Sequence, residues 1–446
     1  MTPGRGSPSA VLDSTAVLLE HQLATAQSAG RLPSVVAGVL RGGELAWTGS
    51  RGVKVRGDGE HRPDADTQYR IGSITKTMTA VLVLQLRDEG RLDLADPLAA
   101  HLPDAPYAER SIRALLAHTG GVPAEPPGPW WERNAGRSWD DLTRELRTQS
   151  GVLPPGRQYH YSNVSYALLG KLVARLRERP WNEVLTERVL RPLAMARTSY
   201  LPAEPAAQGF SVHPFAETLT VEPAHDTAAM APAGQLWSTV GDLAQWAAFL
   251  AAPDPGVLLP DTIEEMAIVQ SADPAHGGVD AYGLGVRLLT TPDRRLRGHT
   301  GSMPGFLASA FVDAASGVGA VALTNATRGL DGPGLCGGLI ATLLECEPVL
   351  PPPWRPNEDR PDYADLLGAW YWGNTPFWLS VRAGTLVLQS AGDGQPTRFE
   401  AAGAGRFRGR DGYFTGETLS VVRRSGGEVS HLDLATFELC RSPYGD

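Results

Sequence analysis

The sequence predicts an α/β (α+β) domain followed by a small all-β barrel, and three observations indicate this. Helical periodicity and β-hairpin patterns alternate as far as residue 345. The proline-rich segment 346–362 cannot continue a helix or a central strand. From residue 363 to 446, short runs of alternating polarity are separated by glycine-containing turns, which is typical of a small antiparallel barrel. We therefore expect domains at 11–345 and 363–446, joined by the proline-rich linker.

The elements of the first domain follow from periodicity and turn residues, taken in chain order. A surface helix is predicted over 11–23, and a hairpin with a glycine turn over 35–47. The segment 198–230 has no regular pattern and is interpreted as irregular. Further helices are predicted at 73–88, 111–116, 140–147, 167–179, 181–189, 243–250 and 335–344. Strands are predicted at 69–71, 282–287, 297–301, 306–313 and 318–325.

The second domain contains eight short runs that each suit a strand of about three to five residues. These predicted strands lie at 369–372, 377–381, 385–388, 406–408, 413–414, 419–422, 431–434 and 436–439.

The composition fits a globular protein of two domains and argues against several classes of function. A chain of 446 residues is too long for one ordinary domain, and 42% apolar with 20% charged residues is typical of soluble proteins. The net charge of −9, without a long basic run, argues against nucleic-acid binding. No uncharged apolar stretch approaches the roughly 18 residues that a membrane span needs.

The cellular compartment is indicated by the N-terminus and the cysteines. Residues 1–10 lack a charged region followed by an apolar core, so we expect no secretory signal. The three cysteines, Cys336, Cys346 and Cys440, are odd in number and have no metal-ligand spacing, so they predict neither a disulfide framework nor a metal site. A cytoplasmic protein without a cofactor is the expectation.

The helix that begins near Ser73 carries the strongest chemical signal, Ser73-Ile-Thr-Lys76. Its apolar residues recur at i, i+4, i+7 and i+8, which predicts a helix buried along one stripe. A hydroxyl and an ammonium three residues apart share a helix face, so a nucleophile lies beside a potential base. The chain has only three lysines, and a buried lysine can lose its proton whereas an arginine cannot. A polar helix start with a lysine that reaches solvent is the alternative.

A second motif, Tyr161-Ser-Asn163, directly precedes a predicted helix and is the only Tyr-x-Asn in the chain. A phenol can act as acid or base when a neighbouring cation lowers its pKa. Asn163 can orient a lysine and a substrate amide. Alone, the pair fits a core aromatic and a turn amide better than a catalytic role.

The third motif is the tripeptide His299-Thr300-Gly301. A second His-Thr-Gly begins at His118, so the tripeptide alone has little meaning. His118 follows a short predicted helix, whereas His299 precedes a β-hairpin on a predicted inner strand. Glycine there allows a ligand backbone to approach closely.

In this order the three motifs resemble those of the serine β-lactamase and penicillin-binding-protein superfamily. The closest pattern is the branch of class C β-lactamases, D,D-carboxypeptidases, D-aminopeptidases and related esterases. Two loops, 115–123 and 298–306, also look like loops of that branch. The resemblance covers about residues 15–345 and implies a β-lactamase/transpeptidase-like fold, with an antiparallel sheet flanked by helices plus an all-helical region.

The resemblance also implies an acyl-enzyme mechanism. Ser73 would be the nucleophile and neutral Lys76 its base. Tyr161 would relay protons to the leaving group and later activate the incoming nucleophile. Asn163 would position Lys76 and a substrate amide.

The tripeptide and its neighbour would form the other wall of the site. Backbone N–H groups of Ser73 and Ser302 would make the oxyanion hole. His299 and Thr300 would line the cleft opposite Ser73, and the backbone of Thr300, Gly301 and Ser302 would pair with an extended substrate. His299 replaces the lysine usual in true β-lactamases and is a weaker cation near neutral pH, which favours peptide, ester or thioester substrates over penicillins.

The barrel resembles the lipocalin-like domain of some relatives, including penicillin-binding-protein-type thioesterases that release and macrocyclise nonribosomal peptides at a D-residue. The resemblance therefore implies a serine hydrolase or acyltransferase that offloads such a peptide and closes it head to tail. A D,D-carboxypeptidase, D-aminopeptidase or esterase is one alternative, and a non-catalytic peptide sensor is another. Arg441, near the chain end, is a candidate carboxylate anchor if the barrel helps to hold the peptide; a purely structural barrel is the alternative.

The expected partner is a peptide or peptidyl thioester substrate, with delivery by a carrier protein left open. We expect no nucleic-acid or membrane partner, and a monomer.

Overall fold

The computed structural model describes residues 10–55, 62–272, 280–291, 293–351, 353–356, 363–382, 384–392 and 394–444. The chain divides into two compact units, Met1–Val349 and Leu350–Asp446. Parts of the expected linker, at 352 and 357–362, lie outside the described residues, as do residues 1–9 of the N-terminal segment.

An eight-stranded antiparallel sheet is the centre of the first unit. Its strands are β1 Ser34–Arg41, β2 Glu44–Gly52, β7 Ser271–Ala272, β8 Asp280–Tyr282, β9 Arg287–Thr290, β10 Arg295–Met303, β11 Phe306–Asp313 and β12 Val318–Thr324. Their order is β2-β1-β12-β11-β10-β9-β8-β7, so β10, which carries the His299 tripeptide, is an inner strand as predicted. The single strand predicted at 282–287 is wrong: the chain turns through Gly285, at φ +85°, and the segment contributes to two strands instead.

Two small ladders complete the strands of this unit. β3 Tyr69–Arg70 pairs with β6 Trp237–Ser238 just before the Ser73 helix. β4 Phe210–Val212 pairs with β5 Leu219–Val221, within the segment that was interpreted as irregular.

Ten α-helices occur in the described ranges: α1 Asp13–Gly30, α2 Ile74–Asp88, α3 Ile112–Leu116, α4 Trp139–Leu146, α5 Asn163–Arg177, α6 Trp181–Leu185, α7 Ala231–Gly234, α8 Val240–Ala251, α9 Pro260–Met266 and α10 Gly332–Cys346. Hydroxyl side chains cap several of them; Ser162, for example, accepts from the N–H of Ser165 at the start of α5. No helix of the described residues is long and apolar enough to cross a bilayer.

Helices cover both faces of the sheet, because side chains on its inner strands alternate between two apolar cores. On β1, Val35, Ala37 and Val39 pack with Leu19 and Leu23 of α1 and with apolar residues of α10. The alternate positions, including Val36 and Leu40, pack with residues of α2, α5 and α8. This arrangement confirms the α/β (α+β) fold class.

The α2 helix is buried on all sides, not along one stripe as predicted. Every residue from Ile74 to Leu86 is buried. Apolar residues of α5, α8 and the sheet pack in the same core as α2, which leaves no face for solvent. Lys76 is therefore held inside the protein, and a lysine that reaches solvent is excluded.

The second unit is an antiparallel meander whose strands follow one another in chain order. They are β13 Gly368–Trp372, β14 Thr375–Arg382, β15 Thr385–Ser390, β16 Thr397–Ala401, β17 Arg406–Gly409, β18 Thr418–Arg423, β19 Val429–Leu434 and β20 Phe437–Leu439. Reciprocal backbone hydrogen bonds of 2.7 and 2.9 Å between Tyr371 and Cys440 bring the two ends together. The unit is thus a nearly closed barrel.

One strand of the barrel was misplaced by the sequence interpretation. The segment 413–414 belongs to a single helical turn, Gly412–Phe414, which Gly412 enters at φ +70°. The eighth strand is instead β16, where Thr397 and Phe399 point inward. The alternation of inward-facing and polar residues in Thr-Arg-Phe-Glu-Ala is a pattern that predicts a strand.

Candidate active site

Ser73 and Lys76 lie one turn apart at the start of α2, in direct contact. Ser73 is the N-cap residue, and Lys76 is fully buried in the first turn. The Lys76 Nζ donates to Ser73 Oγ at 2.8 Å and to the carbonyl of Ala233 at 2.7 Å. A serine hydroxyl and an amine are thus held at proton-transfer distance.

The lysine is tuned toward its neutral form. Burial lowers the pKa of Lys76 to about 7, while the charges of Glu125 and Glu132 act in the opposite direction. Near neutral pH a substantial fraction of Lys76 is therefore a free amine, which can accept the serine proton.

Tyr161 approaches the same serine from the residue before the α5 cap. Its ring centroid lies 5.0 Å from the Lys76 Nζ, and its side chain lines the same cleft as Ser73. Burial raises the pKa of Tyr161 well above its usual value, and the nearby Ser73 side chain acts in the opposite direction. The condition that a neighbouring cation lowers the pKa of the phenol is therefore not met here, and Tyr161 is a neutral phenol near neutral pH.

Asn163 does not orient Lys76 as expected, because its amide is engaged elsewhere. The Nδ2 of Asn163 donates to Glu125 Oε1 at 2.8 Å. The other Glu125 oxygen accepts from the indole N–H of Trp131 at 2.7 Å. The acceptor that holds Lys76 is instead the Ala233 carbonyl. Glu125 thus connects Asn163 to the 123–137 loop and adds a negative charge near Lys76.

His299 is a buried, neutral imidazole. Its Nδ1 faces the carbonyl of Thr300, which can only accept, so Nδ1 carries the proton and Nε2 accepts from the Tyr282 hydroxyl at 3.0 Å. Burial, and next the charge of Lys76, lower the pKa of His299 to about 3. His299 is therefore uncharged at neutral pH, whereas the sequence led us to expect a weak cation.

His118, the histidine of the other His-Thr-Gly tripeptide, packs against Tyr161 and the start of α5. Its Nδ1 accepts from the backbone N–H of Ser162 at 3.1 Å, and its ring centroid lies 4.3 Å from that of Tyr161. The rings of Tyr166 and Tyr282 also pack on it, at 5.2 and 4.6 Å. Context in the sequence separated the two histidines, but it did not reveal that His118 buttresses Tyr161.

The start of α2 lies close against β10, at the place expected for an oxyanion hole. A methyl group on Gly301 would lie 1.8 Å from the carbonyl oxygen of Ile71 and 3.2 Å from the Ser73 nitrogen. A methyl group on Gly72, which has φ +51°, would lie 2.6 Å from the Ser302 nitrogen. Only glycines permit this approach of the Ser73 and Ser302 backbones.

Ser73, Tyr161, His299, Thr300, Gly301 and Ser302 line a common cleft of about 350 Å³. Among the described residues lining it, Arg287 is the cationic side chain, and sequence reasoning missed it. Its Nη1 donates to Thr300 Oγ1 at 3.1 Å, and its Nε donates to Asp280 at 2.7 Å. The guanidinium is thus neutralised by Asp280 within the cleft wall.

Another expected residue, Arg441, is engaged in structural contacts. Arg441 donates to the carbonyls of Leu367 and Ala369 at 3.2 and 3.1 Å and stacks 3.9 Å over Trp370. These contacts close the barrel ends, and a carboxylate-binding role stays a prediction.

The fold, together with the paired serine and lysine, defines the class of β-lactamase-like serine hydrolases. The Beta-lactamase family model matches residues 19–342, so the chain belongs to the Beta-lactamase family. Residues 359–441 match a domain of unknown function (DUF7586).

Two curated relatives illustrate the similarity in sequence. Protein flp of Staphylococcus aureus (strain N315) is 24% identical over 319 residues, covering 69% of this chain and 62% of that protein. The D-alanyl-D-alanine-carboxypeptidase/endopeptidase AmpH of Escherichia coli (strain K12) is 32% identical over 196 residues, covering 42% of this chain and 49% of AmpH. The chain thus spans less than two thirds of the length of either relative.

Three solved structures share the fold. The crystal structure of SurE has a TM-score of 0.61 at 24% identity, over 96% of this chain and 99% of that chain. The octameric penicillin-binding protein homologue from Pyrococcus abyssi has a TM-score of 0.66 at 21% identity, over 96% and 100%. The D-amino acid amidase from Ochrobactrum anthropi SV3, complexed with D-phenylalanine, has a TM-score of 0.66 at 21% identity, over 75% and 100%.

Proposed function

We propose that this protein forms an acyl-enzyme on Ser73 from a peptidyl thioester and transfers the acyl group to the peptide's own N-terminal amine. The observation that carries the proposal is the 2.8 Å contact between Ser73 Oγ and a Lys76 amine whose pKa is about 7. On this proposal the chain is a standalone thioesterase that offloads and macrocyclises a nonribosomal peptide, with a D-residue at the acylating end.

In the proposed first step, Ser73 Oγ bonds to the thioester carbonyl carbon while its proton moves to neutral Lys76. The N–H groups of Ser73 and Ser302 stabilise the oxyanion, each contributing roughly 10²–10³ in rate. The carbon–sulfur bond then breaks, and the thiolate leaves with a proton supplied from Lys76 through the Tyr161 hydroxyl. Tyr161 carries its proton at neutral pH, which suits a hydroxyl that must first donate a proton to the leaving thiolate and then accept one from Lys76.

In the second step the incoming amine attacks the ester carbonyl and gives a proton back through Tyr161 to Lys76. The Ser73–acyl bond breaks and the serine recovers its proton, so the catalytic groups return to their starting states. Water can take the place of the amine, in which case the product is a linear acid.

The charges in the cleft favour a thioester or ester donor over a peptide with a free C-terminal carboxylate. His299 is neutral, and Arg287 is already paired with Asp280, so the described lining offers no uncompensated cation to a carboxylate. This is the observation that ranks a D,D-carboxypeptidase second. The relatives AmpH and the D-amino acid amidase carry names that keep peptide and amide hydrolysis as the alternative.

The proposal includes a cytoplasmic monomer that receives its substrate from a carrier protein. Cys336, Cys346 and Cys440 are free thiols, which suits a reducing compartment.

Labelling tests the catalytic part of the proposal. Incubation with a fluorophosphonate should add one adduct to the wild-type protein by intact mass and none to the Ser73→Ala variant. No adduct on the wild type would leave the non-catalytic sensor as the better description.

Product analysis tests cyclisation. A linear peptide with a free N-terminus, activated as a small-thiol thioester at a C-terminal D-residue, should give a product lighter than the linear acid by one water. The N-acetylated peptide and the C-terminal L-epimer are matched controls, and both should give acid or no turnover. Linear acid alone from the free-amine D-substrate would defeat the cyclase, and release of D-alanine from a D-Ala-D-Ala peptide would favour the carboxypeptidase.

A further inference from the structure

The last hairpin of the barrel carries a set of metal-ligating side chains on its outer face. His431 and Asp433 alternate with buried Leu432 and Leu434 on β19, so both point outward. On β20, Glu438 points outward between inward-facing Phe437 and buried Leu439. One imidazole and two carboxylates therefore share one surface of two paired strands.

The strand register places these residues opposite one another. Asp433 pairs directly with Glu438, and Leu432 pairs with Leu439. Continued by one residue, the same register sets His431 opposite Cys440. The outer face thus presents a square of four donor side chains in which each edge is a cross-strand pair or an i,i+2 neighbour.

The distances among three of these side chains, His431, Asp433 and Glu438, are those of a group that can converge on one ion, and Cys440 adjoins Glu438. One donor atom from each of His431, Asp433 and Glu438 lies within 4.8 Å of the others, and the His431 Nε2 is 3.5 Å from Asp433 Oδ1. The Cys440 Sγ is 3.6 Å from Glu438 Oε1. Metal bonds of about 2.0–2.3 Å require these atoms to close by roughly 1 Å, which rotation of exposed carboxylates allows.

The two carboxylates on this face have the His431 imidazole beside them, 3.5 Å from Asp433. Like charges directly opposite one another on a sheet are destabilising, and Asp433 faces Glu438 in this way. In the part of the chain that the structure describes, no lysine or arginine forms an ion pair with either carboxylate. A bound divalent cation would replace this repulsion with attraction.

We propose that His431, Asp433, Glu438 and Cys440 bind one divalent transition-metal ion, with Zn²⁺ as the best match. Imidazole and thiolate ligands favour Zn²⁺ and Co²⁺ over Mg²⁺ and Ca²⁺, which prefer oxygen ligands alone. The four ligands fill a tetrahedral shell, so the site has a structural role rather than a catalytic one. It would fasten the terminal hairpin, whose Cys440 backbone also bonds to Tyr371 across the barrel closure.

The test uses the full-length protein, freed of metal with a chelator and titrated with Co²⁺. We expect saturable binding of one ion, with the near-ultraviolet absorption of a thiolate–cobalt bond, and a rise of the barrel's thermal midpoint with Zn²⁺. Mutating a residue that only hydrogen-bonds to a metal ligand typically lowers metal affinity by roughly tenfold or more. His431→Gln removes a ligand itself, so it should lower the affinity for Co²⁺ by more than roughly tenfold. Cys440→Ser should remove the thiolate absorption.

Two variants serve as matched controls, because each removes the same kind of side chain, a thiol or an imidazole, at a position outside the cluster. Cys346→Ser removes an exposed thiol outside the cluster, and His101→Gln removes an imidazole that pairs with Asp96 at 2.8 Å in the first unit. Both should bind Co²⁺ like the wild type. The exposed double variant Asp433→Asn/Glu438→Gln should lose binding while its circular dichroism stays unchanged, which separates lost ligands from lost folding.

Absence of saturable Co²⁺ or Zn²⁺ binding would overturn the site, as would equal affinity in His431→Gln. Thiolate absorption that survives Cys440→Ser and disappears in Cys346→Ser would overturn it as well. None of these outcomes depends on acyl transfer at Ser73, so this site and the proposed cyclase can fail independently.

Discussion

The Nζ of Lys76 lies 2.8 Å from the Oγ of Ser73, inside a helix whose residues Ile74–Leu86 are all buried. The same burial that makes this lysine costly to charge lowers its pKa to about 7 and makes it a base. The chemistry of the site therefore depends on the position of α2 in the core as well as on the Ser-x-x-Lys spacing.

Replacement of Lys76 by arginine should abolish acylation. Arginine keeps the positive charge but cannot release its proton, so no base remains beside Ser73. The rate constant for fluorophosphonate labelling should fall by roughly 10²–10⁴, the usual contribution of a general base. Lys171→Arg on α5 is the matched control and should label at the wild-type rate; equal rates for both variants would contradict the role of Lys76.

The acidic limb of the pH–rate profile should reflect Lys76 and respond to Glu125. Activity should fall as the pH drops below about 7, because protonated Lys76 cannot accept the serine proton. The negative charge of Glu125 raises the pKa of Lys76, so Glu125→Gln should move the limb to lower pH. Glu132→Gln should shift it in the same direction by less, since its influence is the smaller of the two.

The measurement is kcat/KM for the thioester substrate between pH 5 and 8, where the substrate itself is stable. The exposed Glu217 is not among the charges that act on Lys76, so Glu217→Gln should leave the limb in place. A limb that moves to higher pH in Glu125→Gln would contradict the assignment.

Burial of Lys76 should lower the free energy of unfolding by an amount that depends on pH. Its pKa is about 7 in the folded state against 10.5 when exposed, so between these values the unfolded chain binds more protons. Stability from this group is therefore lost as the pH falls from 10.5 toward 7, by about 1.4 kcal/mol per pH unit. Lys76→Met should be more stable than the wild type near pH 7, and its advantage should shrink as the pH rises to 9.5.

Urea unfolding of both proteins at several pH values measures this difference. The partly exposed Lys171 supplies the control. The free energy of unfolding of Lys171→Met should differ from that of the wild type by the same amount at every pH. A constant difference between Lys76→Met and the wild type across this range would show that the lysine is not held with a lowered pKa.

Residues close in sequence were placed together correctly, because local geometry determines their distance. Ser73 and Lys76 share a helix face by spacing alone, and the β11–β12 hairpin followed from alternation around a glycine turn. The His299 strand was expected inside the sheet from its position before that hairpin. These are the parts of the fold and the site that a single sequence predicts well.

Contacts made by packing of distant segments were not predictable. Asn163 was expected to hold Lys76, but the Ala233 carbonyl does so, and a backbone acceptor leaves no mark on the sequence. Glu125 lies 38 residues before Asn163, and Arg287 on β9 reaches Thr300 on the neighbouring strand β10. The neutral states of Tyr161 and His299 likewise result from burial, which residue type does not reveal.

The close approach of β10 to the start of α2 predicts that Gly301 cannot be replaced. In Gly301→Ala the new methyl group would lie 1.8 Å from the Ile71 carbonyl oxygen, so β10 must move away from Ser73. The Ser302 N–H would then leave the oxyanion position, with an expected loss of roughly 10²–10³ in kcat. Steady-state turnover of the thioester, with the melting temperature measured alongside, tests this expectation.

Gly337 on α10 provides the control, because a methyl group there meets no atom within 4 Å. Gly337→Ala should turn over substrate at the wild-type rate and should melt no earlier, since alanine favours a helix by about 1 kcal/mol over glycine. If Gly301→Ala unfolds near room temperature, Ser302→Pro provides a second test, because proline lacks the N–H that is proposed to bind the oxyanion. Undiminished kcat in folded Gly301→Ala and Ser302→Pro would exclude the Ser302 N–H from the oxyanion hole.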